Sequence, residues 1–229
     1  MIMLVWIASY PRSENSVFRR LLDKVYGVPT NTIYGERRRS LQFSGSDTTL
    51  KKMAESSRPF FLKTHEKTPA DDSPAIYLVR DGRDWMVSYA HFVLHEEVSE
   101  AGGTESRERF EAVLKDLIEQ TQANFGTWSE NVLRWIDRPK TVVVRFEELI
   151  AAAEETIKQA IALAGLQLEP LPIVKVPSFE HLHSKNLPEW PSGLVAPGIP
   201  TARLRTFWKR NESAMRRLGY GSEKRAYSA

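Results

Sequence analysis

The chain has 229 residues, of which 41% are hydrophobic, so it is long enough and apolar enough for one α/β domain with a sizeable core. It contains no cysteine, which excludes disulfides and thiolate metal sites. The 32 lysine and arginine residues exceed the 29 aspartate and glutamate residues, and the net charge of +3 suits an anionic ligand without requiring one.

The first residues, Met1 to Ile7, are apolar. We expect a core strand here rather than a signal peptide, because the stretch is short, lacks basic residues and leads directly into a loop of hydrogen-bonding side chains. No apolar run in the sequence is long enough to span a membrane. The expectation is therefore a cytoplasmic enzyme.

The stretch from Ser9 to Ser16 predicts an anion-binding loop. It joins the apolar strand to an amphipathic helix expected over Asn15–Tyr26, and the first turn of such a helix offers backbone N–H groups to an anion. Four side chains can add hydrogen-bond donors: Arg12, Ser13, Asn15 and Ser16. The Gly-x-x-x-x-Gly-Lys-Ser/Thr pattern is absent, so the loop lacks the lysine and the Mg²⁺-binding hydroxyl of a Walker A motif.

Beyond this loop, short apolar runs alternate with helical patterns, which predicts a central, mostly parallel sheet flanked by helices. The further strands are expected at Pro59–Lys63, Pro74–Val79 and Lys140–Arg145. The further helices are expected at Asp84–His95, Glu105–Gln122, Asn124–Asp137, Glu154–Ala164 and Arg203–Leu218. Three segments are expected to be irregular: 30–57 with a helical part at 48–57, 96–104 as a mobile loop or lid, and 184–202. We expect one domain over residues 1–229.

Polar residues follow three of the predicted strands. They are the Ser9–Ser16 loop, the tripeptide Lys63–His65, and Arg80 with Ser88 further along the next helix. Ligands of parallel α/β sheets bind beyond the carboxyl ends of the strands, so we expect these residues to converge on one crevice. Taken alone, Arg80 could instead pair with a neighbouring aspartate, Asp81 or Asp84.

With these motifs in order, the chain resembles the cytosolic and bacterial sulfotransferases that use 3′-phosphoadenosine 5′-phosphosulfate (PAPS). The first loop of that family reads Tyr-Pro-Lys-Ser-Gly-Thr-Thr-Trp, and Tyr10–Val17 matches it in part. The family's catalytic Lys-Thr-His is identical to Lys63–His65. Its 3′-phosphate pattern, Tyr-x-x-Arg-x-x-x-Asp-x-x-x-Ser-Tyr, fits Tyr77 through Tyr89.

Three later stretches extend the resemblance over most of the chain. Gly126–Trp128 is similar to the family's Gly-Ser-Trp, Arg145–Leu149 to its Tyr-Glu-Asp-Leu, and Ser178–Leu182 to its Ser-Phe-x-x-Met. Each match is weak by itself, but the matches occur in the family's order. The resemblance implies a single α/β domain with the P-loop NTPase-like architecture of sulfotransferases.

The resemblance also implies a role for each candidate residue. His65 would be the general base, and Lys63 and Arg12 would stabilise charge on the transferring group. The 5′-phosphosulfate would lie in the loop formed by Arg12, Ser13, Glu14, Asn15 and Ser16. Arg80 and Ser88 would bind the 3′-phosphate. PAPS would be the donor and PAP the product, and this account needs no metal.

The chain departs from the family pattern at several of these positions. Glu14 replaces the loop glycine of the family. That glycine lets the backbone approach the phosphates, whereas a carboxylate there would repel them unless it points away. Val17 replaces a tryptophan that stacks on the adenine, and Phe146 replaces an adenine-side tyrosine. Phe179 is a further candidate for the cofactor site. The late phosphate segment is eroded, and Arg203 or Arg205 is expected to compensate.

The predicted partner is a hydroxyl acceptor: a phenol, a sugar, a glycolipid or another natural product. Nucleic acid and membrane insertion are not expected, and the sequence does not indicate an oligomeric state. Two other functions stay open. One is a degenerate member that binds an adenosine bisphosphate or another anion without transfer, and the other is a kinase-like phosphotransferase.

Overall fold

The computed structural model describes residues 4–34, 59–101, 106–119, 125–172, 199 and 201–221. The described residues of Met1–Val79 and Arg134–Glu189 form one compact unit, here called the first unit. Those of Arg80–Leu133 and Trp190–Ala229 form the second unit. The expectation of one domain over residues 1–229 stays a prediction. In these parts of the chain, no helix combines the length and the apolar character that crossing a membrane requires.

The first unit contains a parallel sheet, which has five strands within the described residues. The strands are β1 (Leu4–Ser9), β2 (Thr30–Thr32), β3 (Phe60–Thr64), β4 (Ala75–Val79) and β5 (Thr141–Arg145). Their order is β2-β3-β1-β4-β5, and every pair is parallel. β1 therefore lies at the centre, and the predicted mostly parallel α/β sheet is confirmed.

The helices confirm the predicted alternation. They are α1 (Asn15–Tyr26), α2 (Gly82–Ala101), α3 (Arg107–Glu119), α4 (Trp128–Asp137), α5 (Phe146–Ala151), α6 (Ala153–Leu163) and α7 (Thr201–Arg217). Two expectations were wrong. Residues 30–57 were expected to hold no strand, but β2 pairs with β3 in register Thr30 to Phe61. Its sequence, Thr-Asn-Thr, is short and polar, so it carries no apolar alternation that could indicate a strand.

The second error concerns the acidic stretch expected to begin a loop at Glu96. The structure continues α2 through it to Ala101. Glutamate and alanine are good helix formers, and Glu97 accepts a hydrogen bond of 2.9 Å from Arg109 Nε on α3. Residues 102–104 of this expected lid lie outside the described residues, as do 35–57, the helix expected at 48–57, and most of 184–202.

The core of the first unit forms between α1 and the sheet. Val17, Phe18, Leu21, Leu22 and Val25 recur at helical spacing and pack in one cluster with strand residues such as Ile7 and Ile76. The helix ends at Gly27, whose φ of +63° is in the left-handed region and whose N–H donates to the Asp23 carbonyl at 2.9 Å. This packing fixes the direction in which α1 leaves the β1 loop.

A close side-chain contact near the start of the second unit requires glycine. A Cβ at Gly82, the first residue of α2, would lie 2.6 Å from Phe207 Cζ, so any other residue would displace this buried ring. Beside it, the guanidinium of Arg83 donates two hydrogen bonds to the Asp81 carboxylate, at 2.9 Å from Nε and 2.6 Å from the terminal nitrogen. Both side chains are buried, and the bidentate geometry offsets part of the cost of burying the charges.

We expect Leu21→Ala to lower the free energy of unfolding by about 2–5 kcal/mol, because the fully buried Leu21 side chain packs in the core and its loss leaves a cavity. The measurement is urea denaturation followed by circular dichroism. Leu163→Ala is the matched control, since that leucine is 74% exposed, and it should change stability by less than about 0.5 kcal/mol. Equal losses in the two variants would contradict this packing.

Candidate active site

The loop after β1 is held to the strand by a buried asparagine. Asn15, the first residue of α1, donates through Nδ2 to the Ile7 carbonyl at 3.1 Å and to Ser9 Oγ at 3.2 Å. Its side-chain amide hydrogens thus bind the chain itself. The prediction that Asn15 contributes to anion binding stays a prediction.

The backbone of the loop has an unusual shape. Arg12 has a φ of +66° and Glu14 a φ of +60°, so left-handed residues flank Ser13 on both sides. Glu14 is also the N-cap of α1, and its carbonyl accepts hydrogen bonds from Val17 N at 3.1 Å and Phe18 N at 3.2 Å. Left-handed residues between right-handed ones turn successive N–H groups toward a common point, which makes an anion-binding concavity.

Ser13 lies in the middle of this loop with a buried hydroxyl. The residue is 2% exposed, and Ser13 Oγ makes no hydrogen bond to any part of the chain that the structure describes. A buried hydroxyl without a partner costs free energy that a bound polar group would recover. Together with the N-terminus of α1, this hydroxyl suits a ligand oxygen such as that of a phosphate. Ser16, in the first turn of α1, is exposed.

The structure joins His65 to this loop. His65 follows β3, and its Nδ1 lies 2.8 Å from the Ser9 carbonyl oxygen and 3.2 Å from Ser9 Oγ. A carbonyl can only accept a hydrogen bond, so the proton of the neutral imidazole is on Nδ1 and the lone pair is on Nε2. The predicted base and the predicted anion loop therefore share Ser9, as expected from the adjacent parallel strands β1 and β3.

The surroundings of His65 keep the imidazole neutral. Burial, followed by the positive charges of Lys63 and Arg19, lowers the pKa of His65 to about 4, although the hydrogen bond to Ser9 opposes the shift. At pH 7 the ring is unprotonated and can accept a proton.

Two residues beside His65 were missed by the sequence analysis. Tyr34 stacks on the imidazole with ring centroids 5.7 Å apart, and Lys63 Nζ lies 6.0 Å from the centroid of the same tyrosine ring. Arg19, on α1, donates through Nε to Thr30 Oγ1 at 2.7 Å. The signal that could have found Tyr34 is its place two residues after β2, the strand that the polar sequence concealed.

The remaining candidates of the first unit are less informative. Phe146 begins α5 and is 2% exposed, so its ring is packed in the protein interior. Its assignment to the adenine stays a prediction. Phe179 lies outside the described residues.

The second unit holds three candidates. Arg80 is 7% exposed, and Ser88 is half-buried on α2. Asp81, one of the aspartates that could pair with Arg80, is bound by Arg83. Arg203, on α7, hydrogen-bonds to the carbonyl of Glu111 and lies 3.5 Å from its carboxylate. Its expected compensating role at a phosphate stays a prediction.

Comparison with known families identifies the class of protein. The family described as "Sulfotransferase domain" matches residues 4–191, a span that includes the β1 loop, Lys63–His65 and all five strands. The chain therefore belongs to the sulfotransferase family. No curated protein matches the chain.

Solved structures of low sequence identity share the fold. The mouse sulfotransferase SULT7A1, solved in complex with PAP, is 18% identical with a TM-score of 0.53, over 73% of this chain and 60% of the mouse chain. A sulfotransferase from Alicyclobacillus acidocaldarius is 13% identical with a TM-score of 0.52, over 93% of each chain. The chain thus spans 60% of the length of the mouse protein. The predicted P-loop-like sulfotransferase architecture is confirmed.

Acidification should destabilise the protein through His65. Because its pKa falls from the ordinary value of 6.5 to about 4 on folding, the unfolded state binds more protons between these two pH values. Stability is then complete above pH 6.5 and decreases as the pH is lowered toward 4, by about 3 kcal/mol from this residue. Urea denaturation at several pH values should show a smaller decrease in His65→Asn than in the wild type. Identical decreases would show that His65 titrates normally.

Glu14→Gly should stabilise the protein by about 0.5–1 kcal/mol, since it removes a left-handed side chain but adds freedom to the unfolded chain. It should also tighten PAP binding, because it removes a carboxylate from the anion loop. Thermal unfolding and calorimetry are the measurements. Lys140→Gly is the matched control, with a φ of +56° in the turn before β5, and it should share only the gain in stability. Unchanged or weaker PAP binding in Glu14→Gly would mean that the carboxylate points away from the loop.

Proposed function

We propose that this protein transfers a sulfuryl group from PAPS to a hydroxyl group of an acceptor molecule. The hydrogen bond of 2.8 Å between His65 Nδ1 and the Ser9 carbonyl carries the proposal, because it connects a neutral base to an anion-binding loop. Membership of the sulfotransferase family and a fold shared with a PAP-bound sulfotransferase support the same donor.

The β1 loop would hold the 5′-phosphosulfate end of the donor. The unpartnered hydroxyl of Ser13, the N–H groups of the loop and the first turn of α1, including Asn15 and Ser16, would position its oxygens. PAPS supplies the sulfuryl group and a phosphate leaving group when it is bound. Arg12 and Lys63 would stabilise the negative charge that develops at this position.

His65 would act as the general base. Its Nε2 would take the proton of the acceptor hydroxyl while that oxygen attacks the sulfur, and Nδ1 would keep its proton and its hydrogen bond to the Ser9 carbonyl. Lys63 and Arg19 disfavour the imidazolium that results, so the proton would pass readily to solvent after transfer. The neutral form of His65 would thus be restored without a second proton-accepting residue.

The remaining donor contacts rest on the resemblance. Arg80 and Ser88 are proposed for the 3′-phosphate, which distinguishes PAPS from ordinary adenine nucleotides. Phe146 and Phe179 are proposed for the adenine, and Arg203 for the phosphate in place of the eroded late segment. The acceptor is proposed to be a small molecule, a sugar or a natural product. The cytoplasm is the proposed location.

A second function is favoured by one observation. Glu14 is the N-cap of α1 in the left-handed conformation, so an acidic residue stands within the proposed anion-binding loop. A degenerate family member that binds PAP without transfer would tolerate the weaker donor affinity that such a carboxylate causes.

Calorimetry and a turnover assay separate these functions. PAP should bind more tightly than 5′-AMP, because only PAP carries the 3′-phosphate, and Mg²⁺-ATP should bind weakly. Transfer from PAPS to a panel of phenols, sugars and hydroxylated natural products should follow. PAP binding without transfer to any of them would favour the degenerate member, and tight Mg²⁺-dependent ATP binding would favour a kinase-like phosphotransferase.

His65→Ala should reduce kcat by at least about 10²-fold, the usual contribution of a general base, and leave the Kd for PAP within about twofold. Steady-state kinetics and calorimetry are the measurements. Arg20→Ala, which changes an exposed residue of α1, is the control and should alter neither value. If PAP binding disappeared in His65→Ala, the role of His65 would be donor binding rather than base catalysis.

A further inference from the structure

We propose that Tyr34 is a positioning residue for His65 and that its hydroxyl and its ring have separate tasks. The hydroxyl holds the backbone of His65, and the ring shields one face of the imidazole. The inference rests on the proposed function in that it takes His65 to be the base. It concerns a residue that lies outside the three sequence motifs of the site.

The hydroxyl of Tyr34 is hydrogen-bonded to both His65 and Glu66. Tyr34 Oη accepts the backbone N–H of His65 at 2.8 Å and donates its proton to Glu66 Oε1 at 3.2 Å. Burial raises the pKa of Tyr34 to about 12, so the phenol keeps the proton that this donation requires. Tyr34 therefore fixes the backbone of His65 through its N–H group.

Ser9 holds the side chain of His65. The Nδ1 of His65 binds the Ser9 carbonyl at 2.8 Å, while its backbone N–H binds Tyr34. One bond fixes the main chain and the other fixes the ring, so together they restrict both the position of the Cα and the rotation of the side chain. The direction in which Nε2 points depends on both restrictions.

The ring of Tyr34 covers the imidazole. The two rings are stacked with an interplanar angle of 22°, and the tyrosine ring also lies near Lys63 Nζ, at 6.0 Å from its centroid. The charged and titratable groups around His65 include Lys63 on β3, Arg19 on α1, Tyr34 itself and Glu66, which follows His65 and accepts a hydrogen bond from the Tyr34 hydroxyl. Since burial is the largest cause of the low pKa of His65, removal of the ring should let water in and raise that pKa.

Tyr34 is itself held next to β3. Ile33 N donates to the Lys63 carbonyl at 3.2 Å, which continues the pairing of β2 by one residue. The N–H of Tyr34 then donates to Thr32 Oγ1 at 3.2 Å. The short polar strand β2 thus places Tyr34 beside Lys63 and His65. Its sequence alone does not indicate this positioning role.

Two variants separate the two tasks. Tyr34→Phe removes the hydroxyl and keeps the stacked ring, and Tyr34→Ala removes both. Tyr26→Phe is the matched control, because it makes the same chemical change at a buried tyrosine of the α1 core. Circular dichroism and thermal unfolding identify any variant that fails to fold, and Tyr34→Phe, the smallest change, keeps the test possible if Tyr34→Ala is unstable.

The first readout does not depend on turnover. Long-range ¹⁵N–¹H spectra of ¹⁵N-histidine-labelled protein report the tautomer and the pKa of each of the five histidines, and His65→Asn assigns the signal of His65. Tyr34→Phe and Tyr26→Phe should keep the low pKa of His65. Tyr34→Ala should raise it by about one unit or more toward the ordinary value. An unchanged pKa in Tyr34→Ala would overturn the shielding role.

The second readout is the kinetic split. Tyr34→Phe should lower kcat by about tenfold to a hundredfold, since a small displacement of a base costs rates of this order, and leave KM for PAPS within about twofold. Tyr26→Phe should change neither value. A wild-type kcat in Tyr34→Phe would overturn the positioning role. If the wild type itself transfers no sulfuryl group while Tyr34→Ala raises the pKa of His65, the proposed function fails and the shielding of His65 by Tyr34 stands.

Discussion

The site depends on the hydrogen bonds made at the end of the central strand. The Ser9 carbonyl accepts a hydrogen bond from His65 Nδ1, and the Ser9 hydroxyl accepts one from the side-chain amide of Asn15. Ser9 therefore connects the end of β3, the β1 loop and the start of α1. β1 pairs with β3 on one side and with β4 on the other, and Ser9 itself lies in register with Leu78 of β4. The position of His65 relative to the loop is therefore set by hydrogen bonds to a residue of the central strand.

Backbone strain and a buried polar group in the β1 loop both suit ligand binding. Two non-glycine residues adopt left-handed conformations around Ser13, and the Ser13 hydroxyl is buried without a partner among the described residues. Both features cost free energy in the unliganded protein. Such costs are typical of binding sites, where the surrounding structure holds a shape that a ligand then completes.

The sheet and the strand-end chemistry could be predicted because they depend on patterns of period two and 3.6 and on the rule that parallel strands end at one edge. α1 began and ended where its apolar spacing and Gly27 indicated. β2 could not be predicted, since a three-residue polar strand gains its stability from pairing with β3 and not from its own side chains. Tyr34 was missed for the same reason. The extension of α2 to Ala101 was missed because acidic residues are common both in loops and on exposed helix faces.

The structure adds partners that the sequence could not indicate for two of the candidate residues. The side-chain amide of Asn15 holds the loop to β1, and Arg203 contacts Glu111. Sequence alone states which groups a residue has, whereas the fold decides which partners those groups meet first.

The group that sets the tautomer of His65 is a main-chain carbonyl. Every residue type has that carbonyl, so a substitution at position 9 would alter the tether to Asn15 and leave the tautomer unchanged. The tautomer of His65 thus depends on the path of the backbone and not on the residue type at position 9. Relatives that differ at this position could therefore retain the same base, even where their aligned sequences offer no sign of it.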